Sequence, residues 1–244
     1  MAIRGRPKTR KAFPRSDETP RDGHDTKPKQ LGTKPHLSEF EKIISKEDTT
    51  RLLDYLLLRA KKAKTNRRKW TMNYLMVLTI LRAGLRASEL GKLRVDDCFL
   101  DVRPPVIKIA GKMRGDWEKD AIYVPEGFAI VLKKWIEKDK PYRYVFETKW
   151  KGFKKGIDRV TLWFRLKKIF KILKMNPKYN IHSLRHRYGT DTYRAWDKDI
   201  EMTRRQMRHR HIETTTRYIH FAKMEKEAAK HLDRLERQQN GKED

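Results

Sequence analysis

Residues 182–186 read His182-Ser183-Leu184-Arg185-His186, and the interpretation of the whole chain turns on them. On a helix, positions 182, 185 and 186 are i, i+3 and i+4 and share one face. That face offers one permanent cation and two groups that exchange protons near neutrality. A phosphate group suits it. An ordinary basic helix face is the plainer reading. A zinc site is a third, but no carboxylate or Cys shares the stripe, so no metal is assigned.

Downstream, the chain runs Met207-Arg208-His209-Arg210-His211-Ile212-Glu213-Thr214-Thr215-Thr216-Arg217-Tyr218-Ile219-His220. A basic helix ends there, His209 lies in the turn, and a new helix carries Tyr218. Taken alone, this is a DNA-facing basic turn with a core tyrosine. Upstream, Gly84-Leu85-Arg86-Ala87-Ser88-Glu89-Leu90 sets an arginine between a buried helix and a short one. Glu89 is close enough to orient the guanidinium. By itself this fragment is a surface ion pair, which stabilises little.

The intervening elements follow from apolar spacing. Helices are predicted over Lys46–Lys62, Trp70–Arg82 with Gly84 as its C-cap, Ala87–Leu93 and Phe128–Lys138, the last with Ile130, Val131, Leu132 and Trp135 inside. Val106, Ile107 and Ile109, then Ile122 and Val124, alternate as two strands of a β-hairpin. Their loop, Gly111 to Asp120, holds Lys112, Arg114 and Lys119. Tyr144–Glu147 reads as a further short strand. From Thr161 the chain is helical: Thr161–Lys174, His182–Ala195, Asp199–Arg208, Ile212–Phe221 and Met224–Gln238. The expected fold is mainly α with a small antiparallel β-sheet, an α+β domain.

Residues 1–35 hold five of the ten prolines and few bulky apolar residues, the composition of a mobile basic arm. The division expected is an arm over 1–35, one domain over 36–221, and a C-terminal helix and tail over 222–244. The 244 residues carry 60 Lys plus Arg against 32 Asp plus Glu, a net charge of +28, and their mean hydropathy is −0.91. The most apolar run, Tyr74 to Leu81, is far short of the ~20 residues of a membrane helix. No secretory signal is read at the N-terminus. A lone cysteine, Cys98, makes no internal disulfide, which fits a reducing compartment. Nucleic acid is the default polyanionic partner at this charge. The chain also carries 6 Trp, 9 Tyr and 9 Phe, enough for a real core.

The order of the fragments is specific where each alone is not. Arg in GLRxSEL, Lys in a hairpin, HxLRH, and a His nine residues before the Tyr of an RY pair together resemble the tyrosine recombinase (phage integrase) family, from about His36 to Phe221. The resemblance implies that Arg86 and Arg185 are catalytic arginines, His182 the partner of Arg185 in HxxR, and His209 the final His-or-Trp position. Lys112 is the hairpin lysine, with Lys119 of the same loop as the alternative, and Tyr218 is the nucleophile. Glu89 supports Arg86, and His186 is a supporting or structural residue. Neither metal nor nucleotide cofactor is implied.

These residue types suit the implied reaction. Two arginines neutralise the non-bridging oxygens of a phosphodiester as charge grows on them. Nearby cations favour a phenolate, and His182 can take or hold the phenol proton. A lysine at a hairpin tip can protonate the departing 5′ oxygen. The product is a 3′-phosphotyrosyl DNA, which a second 5′-OH reverses.

Further arginines are expected on DNA. Arg208 stands where many relatives have Gly before the final His, and is read as meeting DNA without touching the catalytic set. Arg187 stands where many have a small hydroxyl residue, and Arg210 follows His209. Arg4-Gly5-Arg6-Pro7, with Lys8, resembles an AT-hook core for a narrow minor groove; a generic basic tail is the plainer reading. The stretches Lys61–Lys69, Lys149–Lys155 and Lys167–Lys174 are candidate phosphate contacts. Trp163 is expected in the core, and Trp150 is left between core and DNA. Most relatives carry a core-binding domain before the catalytic one. Here only the arm precedes residue 36, as in the fimbrial phase-variation recombinases. The resemblance implies double-stranded DNA as partner, a tetramer on DNA, no membrane, and a cytoplasmic, DNA-associated location. Two alternatives stay open: an architectural DNA-binding protein on the same fold, and a relaxing enzyme similar to type IB topoisomerases.

Overall fold

The computed structural model describes residues 42–110, 119–150 and 152–240. Eight helices are found among them: α1 Lys46–Lys62, α2 Arg67–Ala83, α3 Ala87–Lys92, α4 Glu126–Asp139, α5 Arg159–Ile172, α6 Ile181–Ala195, α7 Ile200–Met207 and α8 Glu213–Asn240. Five strands accompany them: β1 Cys98–Phe99, β2 Val106–Ala110, β3 Lys119–Tyr123, β4 Glu147–Trp150 and β5 Phe153–Gly156.

Helix α2 is buried on most sides, as its near-continuous apolar run requires. It packs against α1, α4 and α6, and the main core gathers around it. Polar caps fix where its neighbours begin. Ser45 accepts the Asp48 N–H at 3.0 Å to open α1. Asp158 accepts the Thr161 N–H at 2.8 Å to open α5, and Asp199 accepts the Met202 N–H at 2.9 Å to open α7. At α6 the capping is reciprocal: Asn180 Oδ1 accepts the His182 N–H at 2.8 Å, and the Asn180 N–H donates to Ser183 Oγ at 3.0 Å. This cap sets the phase of the helix that carries His182, Arg185 and His186.

The predicted hairpin is present, with Ile107 opposite Ile122 and Lys108 opposite Ala121. It is extended by β1, which sequence reading missed; two residues give too short a pattern to see. The strand predicted at Tyr144–Glu147 pairs only at its ends: Tyr144 forms an isolated antiparallel bridge with Arg94, Val145 and Phe146 make a turn, and Glu147 opens β4. The Glu147 carboxylate accepts the N–H groups of Tyr142, Arg143 and Tyr144 at 3.0, 2.6 and 3.0 Å, which takes those donors away from any ladder. The strand starts at Glu147 and pairs with β5, so the lysine-rich 149–155 stretch is a second hairpin.

Two apolar expectations are also corrected. Helix α4 buries Phe128, Ala129, Leu132 and Trp135, a helical stripe that turns Ile130 and Val131 outward. Helix α5 buries Leu162, Leu166, Ile169 and Phe170, and this phase leaves Trp163 42% exposed, not in the core. Finally, the two helices predicted for Ile212–Phe221 and Met224–Gln238 are one continuous helix, α8. No described helix is long and apolar enough to cross a membrane.

Candidate active site

Four sequence segments meet at one place: the α2–α3 turn, the first two turns of α6, the α7–α8 turn and the front of α8. The α2 end turns sharply because Gly84 is left-handed, with φ +59°. A Cβ at Gly84 would fall 2.2 Å from the Tyr188 ring, so α6 approaches this turn as only glycine permits. Arg86 then caps α3. Its N–H donates to Glu89 Oε2 at 2.7 Å and its Nη1 to Glu89 Oε1 at 2.5 Å, so Glu89 orients the guanidinium as the spacing suggested.

Arg185, buried on α6, donates to the carbonyls of Gly84 and Met207. Its Nη1 is 3.9 Å from Glu89 Oε2. Arg208 completes the cluster and corrects the expectation that it meets DNA apart from the set. Its side chain is 4% exposed, and Nη2 donates to Glu89 Oε2 at 2.7 Å. A buried carboxylate surrounded by cations has captured it, through a charge-assisted bond. Residue 208 has φ 52°, a left-handed conformation that costs a non-glycine residue roughly 1–2 kcal/mol. Burial alone would raise the Glu89 carboxyl, but Arg208, the Arg86 N–H and the Arg86 and Arg185 guanidiniums together hold it below the usual range. Burial, with Arg208 and Arg86 beside it, pushes Arg185 down to about 10, still cationic at neutral pH.

Tyr218 projects from α8 into a second small core with Tyr188, Tyr193, Met207 and Phe221, and is 1% exposed. It packs on Gly189, where a Cβ would fall 2.4 Å from Tyr218 Cζ. Burial pushes the phenol up to about 12, against the opposing pull of Arg185, Arg217 and Arg86. The imidazole at the hydroxyl is that of His186, with Nδ1 3.3 Å from Oη. The His209 ring stacks on the Tyr218 ring at 6.0 Å between centroids and 14° between planes. Burial and then nearby cations push His209 down to about 3 and His186 to about 4, so both are neutral at pH 7.

His209 is held from two sides. Arg204 Nη1 donates to its carbonyl at 2.8 Å. Its Nδ1 is 3.0 Å from Thr215 Oγ1, and with the hydroxyl as donor the imidazole proton sits on Nε2, free to bond a phosphate oxygen. Thr215 was missed by sequence reading. Its one signal is its place three residues before Tyr218, on the same helix face.

His182 opens α6 and faces a groove lined by Ala87, Arg159, Val160, Trp163 and Phe164. Partial burial and the cations Arg185, Arg86 and Arg159 lower its pKa. Arg187 corrects a second expectation. It is 1% exposed, too buried for a surface contact. Its Nε donates to Asp191 Oδ2 at 3.0 Å and its Nη1 to Glu225 Oε1 at 2.7 Å, which ties α6 to α8. Arg210 is exposed in the α7–α8 turn. Lys112, Arg4, Arg6 and Lys8, and the side chains of Lys119 and Trp150, lie outside the described residues. The backbone of Lys119 pairs with Ala110 at the mouth of the hairpin loop.

A helical domain with small antiparallel sheets thus gathers two arginines, three imidazoles and a buried tyrosine from distant segments. The chain belongs to the phage integrase family, whose sequence pattern matches residues 42–225. A tyrosine recombinase of Thermosipho africanus is 33% identical over 145 residues, 59% of this chain and 48% of that protein. The tyrosine recombinase XerD of Listeria innocua is 28% identical over 208 residues, 81% of this chain and 62% of that protein. Among solved structures, the XerH site-specific recombinase bound to a palindromic difH substrate, in a post-cleavage complex, has TM-score 0.62 and 22% identity, covering 79% of this chain and 53% of that one. The fold is therefore that of a tyrosine recombinase catalytic domain. The chain spans about half the length of the curated relatives it matches, 48% and 41% of the first two.

Proposed function

We propose that this chain cuts and rejoins double-stranded DNA at specific sites through a 3′-phosphotyrosyl intermediate. One observation carries the reading: Tyr218 Oη, the His186 and His209 imidazoles and the Arg86–Arg185–Glu89 cluster come together from segments more than 100 residues apart. A structural role alone does not call for three guanidiniums sharing one carboxylate beside a buried phenol.

In this reading the scissile phosphate binds between Arg86 and Arg185, which offset the charge growing on its non-bridging oxygens. Tyr218 Oη attacks phosphorus and the bond to the 5′ oxygen breaks. The phenol proton passes to an imidazole; His186 is the one at hand, neutral and 3.3 Å away. That replaces His182 as the nearest acceptor, and His182 instead faces the groove toward DNA. His209 donates from Nε2 to the phosphate. Lys112 is assigned the protonation of the leaving 5′ oxygen. A second 5′-OH reverses the steps. Arg159, with the exposed Val160, Trp163 and Phe164, extends the phosphate site along α5.

The assembly proposed is a tetramer on DNA, joined through α8. Its distal half exposes Leu232 (58%) on an otherwise charged helix, and Met224, just before the midpoint, is 40% exposed. Truncation after Glu227 keeps the Glu225 ion pairs, and should spare single-site cleavage while abolishing strand exchange. The enzyme reading is tested with a nicked duplex drawn from DNA flanking the gene. A denaturant-stable adduct should form with wild type and not with Tyr218→Phe, while Tyr218→Phe binds DNA as wild type does. Tight salt-sensitive binding by wild type, with no adduct on any flanking fragment, would favour the architectural alternative.

A further inference from the structure

Three guanidiniums converge on one carboxylate, and only two belong to the phosphate site as the motifs define it. Glu89 Oε1 takes Arg86 Nη1 at 2.5 Å, while Oε2 takes the Arg86 N–H and Arg208 Nη2, each at 2.7 Å. Arg185 Nη1 stands 3.9 Å from that same Oε2. Arg208 therefore occupies the oxygen that Arg185 would otherwise claim. The backbone around it serves the same pair: the Arg208 carbonyl accepts Arg86 Nη2 at 3.3 Å, and the Met207 carbonyl accepts Arg185.

Two features say that Arg208 is more than a turn residue. Its left-handed backbone would be unstrained as glycine, so an arginine is retained there against a local cost. Its Nε is buried with no hydrogen-bond partner among the described residues, which a turn lock alone would not require. The side chain is also too buried to act as a DNA-surface contact.

We propose that Arg208 is a positioning residue of the phosphate site: by occupying Glu89 Oε2 it keeps Arg185 off that carboxylate and its charge available to the scissile phosphate. The proposal rests on the phosphate site described above. Without Arg208, Oε2 keeps only the Arg86 N–H, and Arg185 is the guanidinium left beside it. The Arg185–Glu89 pair then closes, and the cation nearest the reacting phosphorus is partly neutralised. Arg208 forms no bond with substrate; it acts through Glu89.

The test uses Arg208→Gly, which suits the left-handed turn, and Arg208→Lys, which keeps a cation for Glu89. Arg208→Gly should remain folded, the relieved left-handed strain offsetting part of the lost ion pair, yet form the nicked-duplex adduct roughly tenfold more slowly at saturating DNA, with DNA affinity little changed. Arg208→Lys should recover most of the rate. In a Glu89→Gln background the Arg208→Gly effect should shrink, since no carboxylate is left to compete for Arg185. A thermal-shift titration with inorganic phosphate runs in parallel and needs no cognate site. The part of the phosphate-induced shift that Arg185→Ala removes should be weakened by Arg208→Gly and kept by Arg208→Lys. Wild-type cleavage and wild-type phosphate response in Arg208→Gly overturn the proposal, as does an effect of equal size in the Glu89→Gln background. Absence of any adduct from wild type, with the phosphate difference intact, keeps Arg208 as a positioning residue and overturns the strand-transfer reading instead.

Discussion

Burial pushes the Tyr218 phenol up to about 12 and the His186 imidazole down to about 4, so without DNA the protein holds a neutral phenol against a neutral imidazole. In the proposed reaction that pair becomes reactive only when a phosphate supplies the electrophile. It also has a cost in acid. His186 and His209 have folded-state pKa values below the ~6.5 of an unfolded imidazole. Below that pH the unfolded chain binds protons that the folded chain refuses, so stability is complete above about pH 6.5 and is lost as pH falls toward 4 and then 3. The melting temperature should fall across that window, and His186→Asn should show a shallower fall; superimposed curves would remove His186 from the account. Gly189 offers a steric test. A methyl 2.4 Å from Tyr218 Cζ cannot be accommodated, so Gly189→Ala should lower the urea-derived stability by about 1–3 kcal/mol and impair adduct formation. Unchanged stability would mean that Tyr218 does not sit against α6.

At the scale of elements, α6 and α8 are held together by charge as well as by packing. Arg187 bonds Asp191 on its own helix and Glu225 on α8, and Arg194 reaches the other oxygen of Glu225. Asp191 and Glu225 are 44% and 37% exposed and keep Arg194, so Arg187→Ala should destabilise by about 0.5–3 kcal/mol, through lost packing and bonds rather than a stranded charge. The salt dependence of DNA binding should not change, because Arg187 is not on the DNA surface; a flatter salt slope would restore it there. This arrangement also shows why some of the molecule was legible and some was not. Gly84 was legible as a helix end because a cap acts locally, its N–H donating to the Ile80 carbonyl; the Ser45 and Asp199 caps are as local but were not singled out. Arg187 and Arg208 looked like DNA contacts because a basic residue among basic residues carries no mark of its partner. Their partners, Glu225 and Glu89, lie 38 and 119 residues away. The Glu147 turn was hidden likewise, since strand spacing does not reveal a carboxylate that captures three backbone donors.

For the molecule as a whole, the residues of the candidate site were legible through the order of their motifs, to each of which the proposed reaction assigns a different part. Its assembly was less so: Thr215, Arg204 and the paired contact of Gly189 with Tyr218 belong to no motif and arise from the meeting of α6, α7 and α8. With a net charge of +28, the DNA binding proposed above should be dominated by counterion release, with a slope of about −0.9 per phosphate contacted. Deletion of residues 1–35 should weaken DNA binding and flatten that slope; an unchanged slope would show that these residues do not touch DNA. The central claim is that Tyr218 becomes bonded to DNA, and the most direct measurement is mass spectrometry of the protease-digested, nuclease-trimmed adduct. A single nucleotide-bearing peptide containing Tyr218 is the predicted result; a modified peptide containing any other residue in place of Tyr218 would contradict the account.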